Sequence, residues 1–104
     1  VFAQTLGIAP DDFLSLAKVS AAYSAAMDAK GDLMVNRTFD PQGRIAQSNK
    51  DFELIADKAA QTGQGLPFTK TYLDMMQDAL AHGEGEGDLD NSAILLPIER
   101  SKLK

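Results

Sequence analysis

The sequence contains no cysteine, which removes disulfides, thiolate catalysis and cysteine-ligated zinc together. It holds one histidine, His82, so a paired-histidine metal motif is excluded, and neither a P-loop nor a nucleophile elbow occurs. No apolar run approaches the roughly 20 residues of a membrane-spanning helix, and no stretch reads as a signal peptide, so no membrane partner is expected. Positive charge is scarce as well. Ten Lys and Arg stand against fifteen Asp and Glu, for a net charge of −5. Without a basic patch to release counterions, no nucleic acid is expected as a partner. A cysteine-free acidic chain of this kind is expected in the reducing cytoplasm.

The 104 residues suffice for one domain, 1–104, with one modest core, and the hydrophobic content is that of a folded protein. No segment alternates apolar and polar residues as a half-buried strand does, so the fold class is all-α, a compact bundle of about five to six helices. Phe2 and Leu6 lie four apart with Gly7 behind them as a left-handed cap. That pattern is the end of a helix, which makes the chain read as a piece of a longer one.

Pro10 followed by Asp11 and Asp12 opens a second helix, with Phe13, Leu16 and Ala17 on one stripe. Ser20 is expected to cap a third, carrying Tyr23 and Met27 four apart, and Gly31 is expected to break or kink it. The clearest helix spans Arg44 to Thr62, with Ile45, Phe52, Ile55, Ala56 and Ala59 on one face and Gly63 as the stop. Pro67 opens the next, whose expected buried face is Phe68, Tyr72, Met75, Met76 and Ala79. Gly83 to Asp90 reads as an exposed acidic loop. Asp90 or Asn91 then caps a last short helix that Pro97 perturbs.

Several features invite chemistry and are explained without it. His82 sits at a helix end, where it caps carbonyls or faces solvent. Gly83, Gly85 and Gly87 follow a helix instead of a strand, and Glu84 and Glu86 between them would repel a pyrophosphate. Asp88, Asp90, Ser92 and Glu99 match the calcium-ligand spacing of an EF-hand loop. Ala93 stands where its sharp turn wants glycine and Pro97 interrupts the ligand run, so no metal is expected and capping accounts for Asp90 and Ser92. Lys50 and Asp51 point away from the apolar stripe of their helix, and periodicity alone makes them solvated surface.

The stretch from Phe39 to Pro67 (FDPQGRIAQSNKDFELIADKAAQTGQGLP) and that from His82 to Ile94 (HGEGEGDLDNSAI) resemble the C-terminal helical domain of the β-hydroxyacid dehydrogenases. That family includes 3-hydroxyisobutyrate dehydrogenase, and the domain is 6-phosphogluconate dehydrogenase C-terminal-like. The resemblance is carried by Lys50-Asp51-Phe52, by Leu66-Pro67, and by Gly85 to Ala93 (GEGDLDNSA). It implies a Rossmann domain upstream that binds NAD or NADP, a linking helix with the general acid/base lysine upstream of Val1, and a substrate that is a small hydroxy acid or its semialdehyde. It further implies that the helical domain closes the active-site cleft and builds a homo-oligomer, a dimer or tetramer.

Within this chain the resemblance assigns no catalytic residue. It gives Lys50 to the cofactor and Asp51 to the substrate cleft. Some members that reduce glyoxylate carry phenylalanine seven residues before the motif lysine, where this chain has Gly43, so the choice of acid stays open. The segment alone is expected to be inactive as a dehydrogenase. The alternative is a freestanding helical interaction module in which Lys50 is surface. A strand–GxGxxG–helix opening upstream would decide for the enzyme.

Overall fold

The computed structural model describes residues 1–83 and 85–101, and its described residues form six α-helices and two 3₁₀ turns with no strand. Two compact units divide the chain, Val1–Phe39 and Asp40–Lys104. No helix among the described residues is long and apolar enough to cross a membrane.

The first unit holds α1 (Phe2–Thr5), α2 (Pro10–Lys18) and α3 (Ala25–Asn36). Gly7, at φ 81°, ends α1 as its spacing predicts, with Ile8 N–H returning to the Ala3 carbonyl. Pro10 occupies the first turn of α2 beside Asp11 and Asp12. Ser20 does not open α3. Its hydroxyl donates to Ala17 O and accepts from Ala22 N–H, so it shapes the turn after α2, and Ser24 takes the N-cap position. Tyr23 therefore precedes the helix, and its hydroxyl donates to Asp28 in the first turn, which also faces Lys18 Nζ at 3.6 Å.

Gly31 does not break α3 either. It is buried inside the helix, where a Cβ would stand 2.7 Å from Leu14 Cδ1, so glycine admits the Leu14 side chain. The helix ends six residues later on Arg37, a left-handed cap at φ 54° that no glycine announces.

The second unit is an αα-hairpin, α4 (Ile45–Thr62) and α5 (Pro67–Ala81), closed at one end by 3₁₀ turns at Glu86–Asp88 and Asn91–Ile94 and by α6 (Leu95–Arg100). Gly63 adopts φ 74° and stops α4 where expected. Among the described residues the fully buried apolar ones are Ile45, Met76, Ala79 and Ala93, joined by Pro97. They come from the start of α4, the end of α5 and the closing turns, so the core lies at the open end of the hairpin. Near the connector, among the described residues of this unit, only the two helices cover each other, and Phe68 and Ile55 depart from the expected buried faces: Phe68 is 89% exposed and Ile55 48%. Pro97 does not perturb α6. It sits in the first turn, where its missing N–H has no helical acceptor to lose.

Phe52 and Tyr72 join the helices midway, edge to face with centroids 5.0 Å apart. Burial, and then the charge of Asp90, hold the Tyr72 hydroxyl above its ordinary pKa of 10. The unfolded chain therefore releases this proton first, and stability is lost as pH rises above 10 toward the raised folded-state value. Tyr72→Phe keeps the ring contact and is expected to flatten that alkaline loss. Melting temperatures between pH 8 and pH 11 check it, on the order of the window set by tyrosine's ordinary pKa. An unchanged slope would remove Tyr72 as its source.

The acidic loop is only partly exposed. Glu84 lies outside the described residues, but Glu86 is buried, and both its oxygens accept from Arg100, at 2.7 Å from one Nη and 2.9 Å from the other. Arg100 also holds Asp78 on α5. The Glu86 bond, partly opposed by burial, and then the Asp78 bond raise the guanidinium above its already high pKa.

Candidate functional site

The residues singled out for function lie on α4, whose entry is built by a distant loop. Arg44 at the N-cap supplies no side-chain cap. Instead Ile45 N–H donates to Leu89 O at 3.1 Å, and Asn91 N–H donates to Gly43 O at 2.8 Å. These bonds flank an isolated antiparallel bridge between Arg44 and Asp90. The Asp90 carboxylate is fully buried: one oxygen accepts from Gln42 N–H (3.0 Å) and Gly43 N–H (3.3 Å), the other from Ser92 N–H (2.9 Å) and Ser92 Oγ (2.7 Å). Ser48 Oγ adds a 2.8 Å bond to Asn91 Oδ1.

The local half of this arrangement is the cap expected of Asp90. Its reach back to residues 42 and 43 is new. Both carboxylate oxygens are committed to protein donors. Gly43 belongs to the same joint, because a Cβ there would stand 3.0 Å from Asn91 Nδ2. An aromatic side chain at 43 would crowd that amide.

Downstream, Lys50 and Asp51 are both exposed, as the helical wheel predicts. Asp51 accepts from Gln47 Nε2 at 3.3 Å, one turn earlier. Lys50 has no hydrogen bond or ion pair with any described residue, whereas Lys58, two turns on, donates to Gln61 Oε1 at 3.3 Å. An exposed ammonium with three unspent donors is suited to a phosphate or ribose oxygen. The two residues are neighbours in sequence but point about 100° apart around the helix, so they serve different directions and do not form one ion pair.

One turn before Lys50 on the same face, Ala46 lines a shallow groove of about 290 Å³ with Leu80, His82, Gly83, Gly87 and Asp88. His82 sits at the C-cap of α5, exposed, as its position beside Gly83 suggests.

Asn49 is the residue the pattern misses. It is 7% exposed, its Nδ2 donates to Glu53, and its Oδ1 is buried without a partner among the described residues. It falls one turn after Ile45 on the buried face. The periodic spacing from Ile45 was the available signal; the polarity of the side chain concealed it.

A family model described as "NAD-binding of NADP-dependent 3-hydroxyisobutyrate dehydrogenase" matches residues 1–98. A protein of Arabidopsis thaliana named probable 3-hydroxyisobutyrate dehydrogenase-like 1, mitochondrial, is 31% identical over 96% of this chain and 29% of its own length. The 2-hydroxy-3-oxopropionate reductase of Escherichia coli K12 is 32% identical over 75% of this chain and 26% of its own. Among solved structures, 3-hydroxyisobutyrate dehydrogenase from Salmonella typhimurium superposes with a TM-score of 0.84 at 26% identity, covering 91% of this chain and 33% of that one. The Mycobacterium tuberculosis 3-hydroxyisobutyrate dehydrogenase with L-serine shares the fold, with a TM-score of 0.80 at 23% identity over 93% of this chain and 35% of that one. The chain thus spans about a third or less of the length of the relatives it matches. With the match running through residues 1–98 and the likeness covering nearly the whole chain, it belongs to the 3-hydroxyisobutyrate dehydrogenase family.

Proposed function

We propose that this chain is the helical domain of an NAD(P)-dependent oxidoreductase that transfers a hydride between a nicotinamide cofactor and a small β-hydroxy acid or its semialdehyde. The observation that carries the reading is the exposed ammonium of Lys50, which has no partner among the described residues, within a chain whose family model is an NAD-binding one. When bound, the nicotinamide supplies the hydride chemistry. Lys50 contacts the cofactor through its ammonium, and Asp51, steadied by Gln47, lines the substrate cleft. The general acid/base lysine and the dinucleotide loop come from sequence upstream of Val1, and this domain closes the cleft over them.

The same reading makes the protein a homo-oligomer. Phe2, Leu6, Leu16 and Val19 in the first unit are 64–84% exposed, an apolar supply suited to burial between copies. The full-length parent should oxidise NADH or NADPH with 2-hydroxy-3-oxopropionate, or reduce NAD or NADP with 3-hydroxyisobutyrate, and scatter light as more than one chain. The 104-residue chain alone should do neither reaction. A full-length protein inert with all of these pairs would contradict the assignment, as would turnover by the isolated chain.

A further inference from the structure

We propose that Asp90 is a positioning residue for Lys50: one oxygen of its carboxylate builds its own 3₁₀ turn and the other anchors the entry of α4, so that Asp90 sets where the Lys50 ammonium is presented. This rests on the reading of Lys50 as the cofactor contact.

A residue that only capped its own turn would need one or two donors, and Ser92 supplies both to a single oxygen through its N–H and hydroxyl. The second oxygen of Asp90 is spent elsewhere, on the amides of Gln42 and Gly43, 48 and 47 residues back along the chain. Those amides lie immediately before α4, a helix whose own N-cap offers no side chain to its first-turn donors.

The cap arrives from the 89–91 loop instead, through Leu89 O on Ile45 N–H, Asn91 N–H on Gly43 O and Ser48 Oγ on Asn91 Oδ1. Ile45 itself is fully buried, so rotation and sliding of α4 are both fixed in its first turn. Lys50 follows Ile45 by five residues, about 7.5 Å along the axis at the ordinary helical rise. No described residue holds the Lys50 side chain, so the backbone of α4 alone determines where its stem begins. A small shift at the entry is carried rigidly to that point, and recognition by a single ammonium is sensitive to displacements of this size.

The test is a double-mutant cycle in the full-length protein, read as the dissociation constant for NADH and for NADPH by nucleotide fluorescence, below the melting temperature of every variant. Lys50→Ala should weaken binding of the preferred nucleotide roughly ten- to a hundredfold. Asp90→Asn keeps a carbonyl acceptor and the side-chain shape but turns an amide toward one pair of donors, and should weaken binding roughly three- to tenfold. In the Lys50→Ala background the Asp90→Asn effect should vanish, because the group it positions is gone. A residue that merely stabilises the fold would lower affinity by the same factor in both backgrounds.

Equal factors, or parental affinity of Asp90→Asn beside a weakened Lys50→Ala, would overturn the inference. Parental affinity of Lys50→Ala would instead sink the reading beneath it. Should Asp90→Asn fail to fold, Ser48→Ala removes only the bond to Asn91 and passes through the same cycle, with the same disappearance expected and the same equality decisive against it.

Discussion

Asp90→Ala is expected to destabilise the protein by about 3–5 kcal/mol. The alanine leaves at least four donors without their acceptor: the amides of Gln42, Gly43 and Ser92 and the hydroxyl of Ser92. Hydrogen bonds to a charged group contribute about 1.5–3 kcal/mol each, and a buried donor left unsatisfied costs about 1–3 kcal/mol. Gln42 is exposed and Gly43 partly so, which lets water replace those two bonds and keeps the sum below its ceiling. Ser92 is 1% exposed and has no such substitute. Urea unfolding followed by circular dichroism measures the loss. A change under about 1 kcal/mol, the size of an ordinary helix cap, would mean that the reach to α4 adds nothing.

The second large effect belongs to the other end of the closing segment. Arg100→Ala should cost about 2–4 kcal/mol, because it strands the Glu86 carboxylate, whose side chain is 9% exposed. Asp78 is half-exposed and loses little, since water takes the place of the guanidinium there. The distinguishing result is the double variant. Glu86→Gln removes the stranded charge, so Arg100→Ala/Glu86→Gln should recover more than half of what Arg100→Ala loses. Additive losses in the double variant would show that Glu86 tolerates isolation and that the fork is a surface contact.

These two joints explain which parts of the molecule could be read from sequence. Stops and starts that depend on local chemistry were legible. Gly7 and Gly63 adopt the left-handed conformations their positions suggest, Pro67 opens α5, and the stripe from Ile45 fixes the orientation of α4. Contacts that depend on distant partners were not. Gly31 looks like a helix breaker until the Leu14 side chain is placed against it. Glu86 sits among glycines and acids that read as solvated, and only the arrival of Arg100 from α6 makes burial tolerable. Phe68 satisfies the helical period, yet no described residue of its unit covers it at that end of the hairpin.

The candidate site divides the same way. That Lys50 and Asp51 face outward follows from the wheel, and their assignment to cofactor and cleft follows from the family resemblance. The scaffold that holds them is a tertiary arrangement. Asp90 announces a cap for its own turn, but no local pattern says that its other oxygen holds residues 42 and 43. Asn49, with a buried acceptor left open beside Lys50, is hidden for the opposite reason: its type suggests surface and its position is core.

If Lys50 serves the cofactor, Lys50→Ala and Lys58→Ala should behave differently in the full-length protein. Lys58 lies on the same helix, is exposed, and is engaged with Gln61, so it controls for the loss of a surface charge from α4. Removing one charge-assisted hydrogen bond at a partly shielded site costs about 1.5–3 kcal/mol. The KM for the nicotinamide nucleotide should therefore rise, or kcat/KM fall, roughly ten- to a hundredfold in Lys50→Ala, with its melting temperature close to that of the parent. Lys58→Ala should keep parental kinetics. Parental kinetics in both variants would return Lys50 to the solvated surface that its helical position alone describes, and the assignment of this chain's cofactor contact would be wrong.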